Sequence, residues 1–346
     1  DIGFCLSIPF LFFNQENTIS GQKIAVWYYV FILYPTLLLL KSNFDYPVVL
    51  RTQFFSTFQI FIIYFALRNY HYRTILANFL DVIKIVQIFI IIVFFGCIFG
   101  IGFFENILTY LGRSFDGSYF GYLRLGGIKY PQIYFKSTLI FVFPAIYFFI
   151  KKKYINSLLS TTVLLITISK SGFILVVLGI LIYSIKKISL TRIIVVFSIL
   201  IILALSLSWY LDILLNLNES YTATKRISQF NWFINYFIDN PISFLFGQGF
   251  SHFFNVSGVY DFAIELDHID VIRKYGFLWF LIISLPFILC LINLRKNIDL
   301  YLPFILLYIA VGTNPLILTN IFFIIILIIL KSFDERYNNN NTYLEE

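Results

Sequence analysis

Long apolar runs separated by short polar segments dominate this sequence. Runs of about 17–25 apolar residues are typical of helices that cross a lipid bilayer. The pattern predicts ten such spans, and a shorter apolar run at Ile2–Phe13 indicates the end of an eleventh. The ten predicted spans are Ile24–Leu40, Val48–Leu67, Ile83–Phe103, Ile133–Ile150, Tyr154–Ile168, Phe173–Ile185, Ile193–Leu211, Gly276–Leu294, Leu300–Val311 and Leu316–Leu330.

Two of the predicted connections are long, at residues 105–132 and 212–275. A connection as long as the second is expected to have structure and a function of its own. Within it, apolar residues recur at helical spacing over Thr224–Ile238, and Asn240-Pro241 ends the pattern. We therefore predict an amphipathic helix there, which could lie along the outer membrane surface.

Lysines and arginines concentrate in the short connections, which is the pattern of loops on the cytoplasmic side. The basic clusters are Arg68 with Arg73, Lys151 to Lys153, Lys186 to Arg192, Arg295 with Lys296, and Lys331 with Arg336. With ten spans all five fall on one side, so both long connections are predicted to lie outside. Residues 331–346 then form a cytoplasmic polar tail, in which Asn338–Thr342 is expected to be disordered.

Composition supports the same class of protein. The chain is 60% hydrophobic and 12% charged, whereas soluble domains are about 45–50% apolar and about 25% charged. We predict an all-α fold, a polytopic transmembrane helical bundle with about 10–11 spans, that forms a single integral membrane domain over 1–346. The net charge of +7 lies mainly in short loops, which argues against nucleic acid as a partner. Met is absent, and we expect the gene product to begin before Asp1.

The second long connection gathers the polar groups best suited to chemistry. It contains His252, Glu265, Asp267, His268 and Arg273. These can be solvated loop charges, a zinc site built from the two histidines and Asp267, or a catalytic centre in which a histidine accepts a proton. The spacing matches no standard zinc motif, so we predict no metal and no other cofactor.

Three basic residues lie outside the cytoplasmic clusters. They are Arg124 in the first long connection, Lys170 in a turn between two apolar runs, and Arg226 at the start of the loop helix. Arginine binds phosphate oxygens through two parallel hydrogen bonds and stays charged at any relevant pH. The alternative is that these side chains extend to lipid headgroups.

Several short segments, in this order, resemble the O-antigen polymerase and O-antigen ligase superfamily. They are Ser169-Lys170-Ser171-Gly172, Arg226, Asn240-Pro241, Phe246-Gly247-Gln248-Gly249, and Glu265 to His268 followed by Gly276 and an apolar span. The ligase branch usually has His-Asn at the end of its loop, and here Ile269 follows His268. Members of this superfamily are integral membrane glycosyltransferases with one large periplasmic loop, here residues 212–275.

The resemblance implies a polysaccharide polymerase in the bacterial plasma membrane, with its active site facing outside and with no metal or nucleotide sugar. Its donor is a glycan on undecaprenyl diphosphate, and its acceptor is the terminal sugar of another lipid-linked repeat. Membrane lipid is a further expected partner, and a chain-length regulator is a candidate one. A ligase that transfers the glycan to lipid A core and a polysaccharide flippase or transporter remain the alternatives.

The same resemblance implies roles for the singled-out residues. His268 is expected to act on the acceptor hydroxyl, with Glu265 or Asp267 orienting it. Positive charge is expected to hold the leaving diphosphate, and His252 and Arg273 are further candidates for substrate binding. The expected diphosphate-binding residues are Arg124, Arg226 and Lys170.

Overall fold

Helices make up most of the protein, as the sequence predicts. The computed structural model describes residues 26–114, 119–125, 128–134, 136–167, 169–187, 225–256, 259–312 and 316–342. The predicted span Ile193–Leu211 and the partial span Ile2–Phe13 lie outside these residues. The first seven helices are α1 (Val26–Lys41), α2 (Pro47–Leu67), α3 (Tyr72–Ile98), α4 (Gly102–Ser114), α5 (Lys136–Ile150), α6 (Tyr154–Ile166) and α7 (Lys170–Lys187). The next six are α8 (225–239), α9 (Pro241–Phe246), α10 (Asp267–Tyr275), α11 (Phe277–Ile292), α12 (Ile298–Val311) and α13 (Asn320–Thr342).

Two short antiparallel hairpins correct the all-α prediction. Strand β1 (Tyr119–Leu125) pairs with β2 (Ile128–Tyr134), and β3 (Phe254–Val256) pairs with β4 (Val259–Asp261). In the first hairpin Leu125 pairs with Ile128, so only Gly126-Gly127 separates the strands in sequence. A Gly-Gly pair between tyrosine-rich segments is a hairpin signal. The apolar-run analysis missed it because seven-residue strands are too short to register as spans.

Within the described residues, two helices are long and apolar enough to cross a membrane by length and composition, namely α2 and α3. The other apolar helices in the described residues are shorter, with 10–17 residues. Helix α3 begins at Tyr72 and ends at Ile98, whereas the predicted span covers Ile83–Phe103. Its first half carries Asp81 and Lys84 yet buries apolar residues at helical spacing, so hydropathy alone placed its start too late. The buried residues of this half are Ile75, Leu76, Phe79, Leu80 and Ile83.

Helix α13 also differs from its prediction. It continues without interruption to Thr342, where the sequence analysis expects a cytoplasmic tail with a disordered polar stretch. The side chains of Lys331 and Glu335 contact the turn after α2, which helps to explain why the helix continues beyond Leu330. The Lys331 Nζ donates to the carbonyl oxygens of Arg68 at 2.6 Å and Tyr70 at 2.7 Å, and Glu335 lies 2.6 Å from the His71 ring.

The core lies among helices α5, α6, α7 and α12, which pack against one another, and α13 packs against α2, α3 and α12. Helix α12 is buried on nearly every side from Leu300 to Val311, as expected for a helix surrounded by others. Two polar contacts cross this interior: Gln87 Nε2 donates to Ser160 Oγ at 2.8 Å, and the Ser284 and Tyr308 hydroxyls lie 2.6 Å apart. Buried side-chain hydrogen bonds of this kind fix the relative position of neighbouring helices.

Three glycines join the middle of the second long connection to its end. We call Gly247, Gly249 and Gly276, all with positive φ, the glycine junction. Cβ atoms on Gly247 and Gly276 would lie 2.3 Å from the Lys274 carbonyl oxygen and 2.4 Å from that of Leu245, respectively. The backbones therefore approach more closely than any residue with a side chain allows.

Hydrogen bonds hold the glycine junction against the first helix. The Gln248 N–H donates to the Arg273 carbonyl at 2.9 Å and the Gly249 N–H to the Lys274 carbonyl at 3.2 Å. The Tyr34 hydroxyl of α1 lies within hydrogen-bond distance of the carbonyl oxygens of Tyr275 (2.7 Å) and Phe246 (2.9 Å). The glycines of the Phe246-to-Gly249 segment thus have a structural cause that requires no ligand.

Substitution of Gly247 by Ala is expected to destabilise the protein more than the same change at Gly100. Gly100 also has a positive φ, but nothing lies near its added Cβ, so that variant bears only the conformational cost of about 1–2 kcal/mol. Gly247→Ala adds a clash with the backbone of α10. Thermal unfolding of both purified variants in detergent measures the difference, and equal shifts of the midpoint would contradict the close contact.

Candidate functional site

His268 lies in the first turn of α10 and faces the apolar helices below the loop. Its ring centroid is 4.8 Å from that of Tyr308 on α12 and 5.7 Å from that of Phe280 on α11. A Cβ at Gly312 would lie 2.7 Å from Nδ1 of His268, so the glycine leaves room for the imidazole. Its other nitrogen, Nε2, is buried without a hydrogen-bond partner in the described part of the chain.

The apolar setting determines the charge of His268. Burial lowers the pKa of His268 to about 4, because an imidazolium ion is poorly solvated there. The ring is therefore neutral at physiological pH. A neutral imidazole has one nitrogen that donates a hydrogen bond and one that accepts. Such a ring has a free acceptor nitrogen without first having to lose a proton, and its lowered pKa makes it a weaker base than an exposed imidazole.

Asp267 precedes His268 but contacts a different part of the protein. Its Oδ2 accepts hydrogen bonds from the backbone N–H groups of Leu316 at 2.6 Å and Ile317 at 2.5 Å. Burial raises the pKa of Asp267 to about 7, although these two donors oppose the shift by favouring the carboxylate. Asp267 thus fastens the start of α10 to the segment before α13. It makes no hydrogen bond with His268, so its predicted orienting role has no support in this geometry.

Arg273 is fully buried, and its guanidinium binds other groups of the loop. Its guanidinium donates to Asp270 Oδ1 from Nε at 2.9 Å and from a terminal nitrogen at 2.8 Å. It also donates to the carbonyl oxygens of His252 at 3.1 Å and Phe262 at 2.7 Å. With 1% of its side chain exposed, Arg273 holds the loop together. This placement offers no opening for the substrate contact that the sequence predicts.

Lys274 completes a buried ionic group with Asp270 and Arg273, and the sequence analysis did not single out Asp270 or Lys274. Its Nζ lies 2.5 Å from Asp270 Oδ2. Burial alone would raise the pKa of Asp270, but the adjacent Lys274 and Arg273 hold it below its usual value. The signal that could have revealed the group is the spacing, because residues three and four apart on a helix are neighbours.

Arg226 and Glu265 form a second charged group, on the outward side of the loop. The Arg226 Nε lies 3.2 Å from Glu265 Oε2, and Lys225 Nζ lies 3.1 Å from the other carboxylate oxygen and 3.2 Å from Asp261. The Glu265 N–H also donates to Gln229 on α8 at 3.0 Å. All four charged side chains remain partly exposed. The sequence predicts that Glu265 orients the base and that Arg226 binds phosphate. In the structure these two residues are paired with each other.

The amphipathic helix α8 is confirmed over 225–239, but its apolar residues face two ways. Phe233 and Phe237 are buried against the loop residues Phe254 and Ile264. Ile227, Phe230, Ile234 and Ile238 are exposed. Phe233 and Phe237 thus anchor the helix that carries Arg226 to the loop, while Phe230 and the isoleucines face away from it.

The remaining predicted site residues are placed as follows. His252 is partly buried, and its Nε2 lies 2.7 Å from the Lys41 carbonyl oxygen, which fixes it to the end of α1. Arg124 lies in β1 opposite Lys129, and Lys170 is the first residue of α7, after the turn rather than in it. The side chains of Arg124 and Lys170 lie outside the described residues. The structure joins Arg226 to Glu265 directly, whereas it places His268 in a separate, apolar environment.

Within the described residues, no group of three or more His, Cys, Asp or Glu side chains is arranged to hold a metal ion. The zinc site considered in the sequence analysis would require His252, Asp267 and His268 to lie together. Instead they contact different groups: the Lys41 carbonyl oxygen, the Leu316–Ile317 backbone and the Tyr308 ring, respectively. Comparisons with protein-family models, with curated proteins and with solved structures find no match. The resemblance to the polymerase and ligase superfamily therefore stays a prediction.

Asp267 generates a prediction about stability and pH. Its pKa is about 7 in the folded chain and about 3.9 in an unfolded one, so the folded state binds its proton more tightly. The stabilising contribution is complete below about pH 4 and is lost as the pH rises through about 7. Asp267→Asn keeps an acceptor oxygen for Leu316 and Ile317 but cannot ionise. The stability of the wild type relative to this variant should fall as the pH rises from about 4 to 7. Thermal unfolding of both proteins over this pH range measures the difference. Parallel profiles of the two proteins would contradict the prediction.

Proposed function

We propose that this chain is an integral membrane polymerase of lipid-linked polysaccharide repeats, with α10 and the preceding loop on the outer face. The observation that carries the proposal is the placement of His268. A neutral imidazole with an unpartnered, buried nitrogen lies where the polar loop meets the apolar helices. A lipid-linked sugar brings its reactive carbon to the same boundary between polar and apolar surroundings.

Membrane placement is supported by features beyond composition. Helix α11 leaves a large apolar surface exposed, including Leu281, Leu285, Ile288 and Ile292. Contiguous apolar surface of this extent is rare on soluble proteins. Helices α2 and α3 are apolar segments of full membrane length, and we assign the shorter apolar helices to the same bundle. The loop region of the glycine junction then lies at the outer surface.

The proposed step is a group transfer at the anomeric carbon of the donor. The acceptor hydroxyl oxygen forms a bond to that carbon, and the bond from the carbon to the diphosphate oxygen breaks. Undecaprenyl diphosphate leaves with the electron pair, and the hydroxyl proton passes to Nε2 of His268. Because Nε2 is buried, the acceptor reaches it only after a local rearrangement around α10, as in other enzymes in which a moving segment opens a site that excludes water.

Arg226 is the proposed diphosphate ligand with a described side chain. It lies in the outward charged group, and its guanidinium already binds a carboxylate, Glu265. A diphosphate presents similar oxygen acceptors with more negative charge, so it can take the place of Glu265. Lys225 lies beside the same carboxylate and adds a second positive charge. The roles of Arg124 and Lys170 remain predictions from the sequence.

The proposed topology can be tested by cysteine labelling in intact cells, in a chain from which Cys5, Cys97 and Cys290 have been removed. Tyr260→Cys, at an exposed loop position, should react with a membrane-impermeant maleimide. Lys153→Cys, in the turn between α5 and α6, should react only after the membrane is permeabilised. Labelling of Lys153→Cys alone in intact cells would invert the topology and remove the proposed active site from the outer face.

The activity can be tested with purified protein and a lipid-linked repeat as substrate. His268→Ala should lower the polymerisation rate about 10²–10⁴-fold, the usual contribution of general base catalysis. Because the pKa of His268 is about 4, its protonation should not alter the rate between about pH 5 and 8. Near-wild-type turnover by both His268→Ala and His268→Gln would remove this residue from the mechanism.

Matched arginine variants and a gene deletion complete this test. Arg226→Ala should abolish polymer while Arg226→Lys retains part of the activity, since an ammonium group cannot form two parallel hydrogen bonds. Arg295→Ala, which changes an exposed arginine in a basic turn far along the chain, serves as the control and should retain activity.

Deletion of the gene should leave single repeats on the carrier or core. Bare core with carrier-linked polymer would instead indicate a ligase.

A further inference from the structure

An apolar cavity of about 600 Å³ lies between helices α2, α3, α5 and α13. Most of its lining is aliphatic or aromatic, from Ile75, Phe79, Ile83, Ile140 and similar residues. Its polar lining residues are few, and three of the four lie near the turn between α2 and α3. These three are Tyr70, Thr74 and Asn78.

The cavity opens to the side of the helices. Its lining includes Val82, which is 59% exposed, and Val86 and Ile321, which are 37% and 36% exposed. Helices α2 and α3 are also long and apolar enough to cross a membrane. In the proposed membrane placement this opening therefore faces the hydrocarbon of the bilayer, which would enter it in place of water.

Volume limits the occupant. A cavity of about 150 Å³ holds one benzene molecule, or about 25 Å³ per carbon, so about 600 Å³ holds about 24 carbons. This suits one fatty acyl chain. It is less than half of an undecaprenyl chain, so the cavity is too small for the whole lipid of the proposed donor.

Length and polarity favour the same occupant. Along α3 the lining runs from Thr74 to Val86, or about 18 Å at 1.5 Å per residue, close to the half-thickness of about 15 Å of the hydrocarbon region. The polar end adjoins the turn that carries Arg68 and Arg73, where Lys331 is bonded to the Arg68 and Tyr70 carbonyl oxygens. A lipid there would have its headgroup at the basic turn, far from the loop end where the donor diphosphate is proposed to bind.

We propose that this cavity binds one acyl chain of a membrane phospholipid whose headgroup lies at the turn between α2 and α3. The site is separate from the proposed catalytic site. It depends on the membrane placement of α2 and α3 but not on the polymerase activity. Bound hydrocarbon would fill a gap between the helix pair α2–α3 and the helices α5 and α13 that otherwise lacks packing contacts.

The test uses the full chain in vesicles that contain phosphatidylethanolamine with a photoactivatable diazirine in the middle of one acyl chain. After illumination, mass spectrometry should find the label on α3 between residues 74 and 86 and on α5 near Ile140. Ala66→Phe and Ser137→Phe fill the cavity from two different helices. Displacement of two or three methylenes should lower labelling about tenfold or more.

Ile62→Phe is the matched control, because Ile62 lies on α2 one turn before Ala66, is exposed and does not line the cavity. It should label like the wild type. Thermal unfolding in detergent identifies a variant that fails to fold. If one of the two cavity-filling variants fails in this way, labelling of the other variant tests the proposal. Equal labelling of the wild type and a folded filling variant would overturn the proposal. So would competition by undecaprenyl phosphate but not by unlabelled phosphatidylethanolamine, which would assign the cavity to the carrier lipid.

Discussion

The buried carboxylate of Asp270 is the interaction on which the loop structure depends. Its Oδ1 accepts hydrogen bonds from the guanidinium of Arg273 and from the Ile264 N–H, and its Oδ2 accepts from Lys274. Three charged groups would each be costly to bury alone, because removal of an ion from water costs several kcal/mol, on the order of 5, even after relaxation. Together they satisfy one another, and the remaining Arg273 donors bind carbonyl oxygens of His252 and Phe262. Two distant parts of the loop are thereby held to one turn of helix.

This ionic group also determines where His268 lies. Asp267, Asp270 and Arg273 lie at three-residue intervals along α10, so one side of the helix faces the loop and the segment before α13. His268, one residue after Asp267, is turned toward Tyr308 and Phe280. Its neutral state follows from that position. The buried charges thus contribute to the candidate site indirectly, by fixing the helix that presents the imidazole to the apolar interior.

The sequence predicts the helical elements better than it predicts their ends. Long apolar runs correctly indicated α2, α11 and α12, because burial or exposure to lipid requires the same residue types over a whole helix. The predicted start of α3 was wrong because the first half of this helix is amphipathic and carries Asp81 and Lys84. The hairpin of β1 and β2 was missed, although Gly126-Gly127 is a local signal for it. The predicted topology rests on the distribution of basic residues and stays a prediction.

The candidate site was harder to predict because its contacts are not local. The sequence singled out Glu265 and Arg226, but not that they pair across 39 positions. It singled out Arg273 as a substrate contact, where burial beside Asp270 gives it a structural role. The glycines at 247 and 276 were recognised only as parts of a family pattern. Their physical reason, a close approach of two backbones, becomes visible only when both segments are placed in space.

The pairing of Arg226 with Glu265 has a consequence for how the proposed reaction would proceed. A donor diphosphate that binds Arg226 must displace the Glu265 carboxylate, which also binds Lys225. Glu265 lies three residues before His268, and its backbone N–H is held by Gln229 on the same helix as Arg226. Displacement would therefore loosen the segment that leads into α10 and His268. In this scheme donor binding at Arg226 and the position of His268 are coupled, because one short stretch of chain carries both the competing carboxylate and the proposed base.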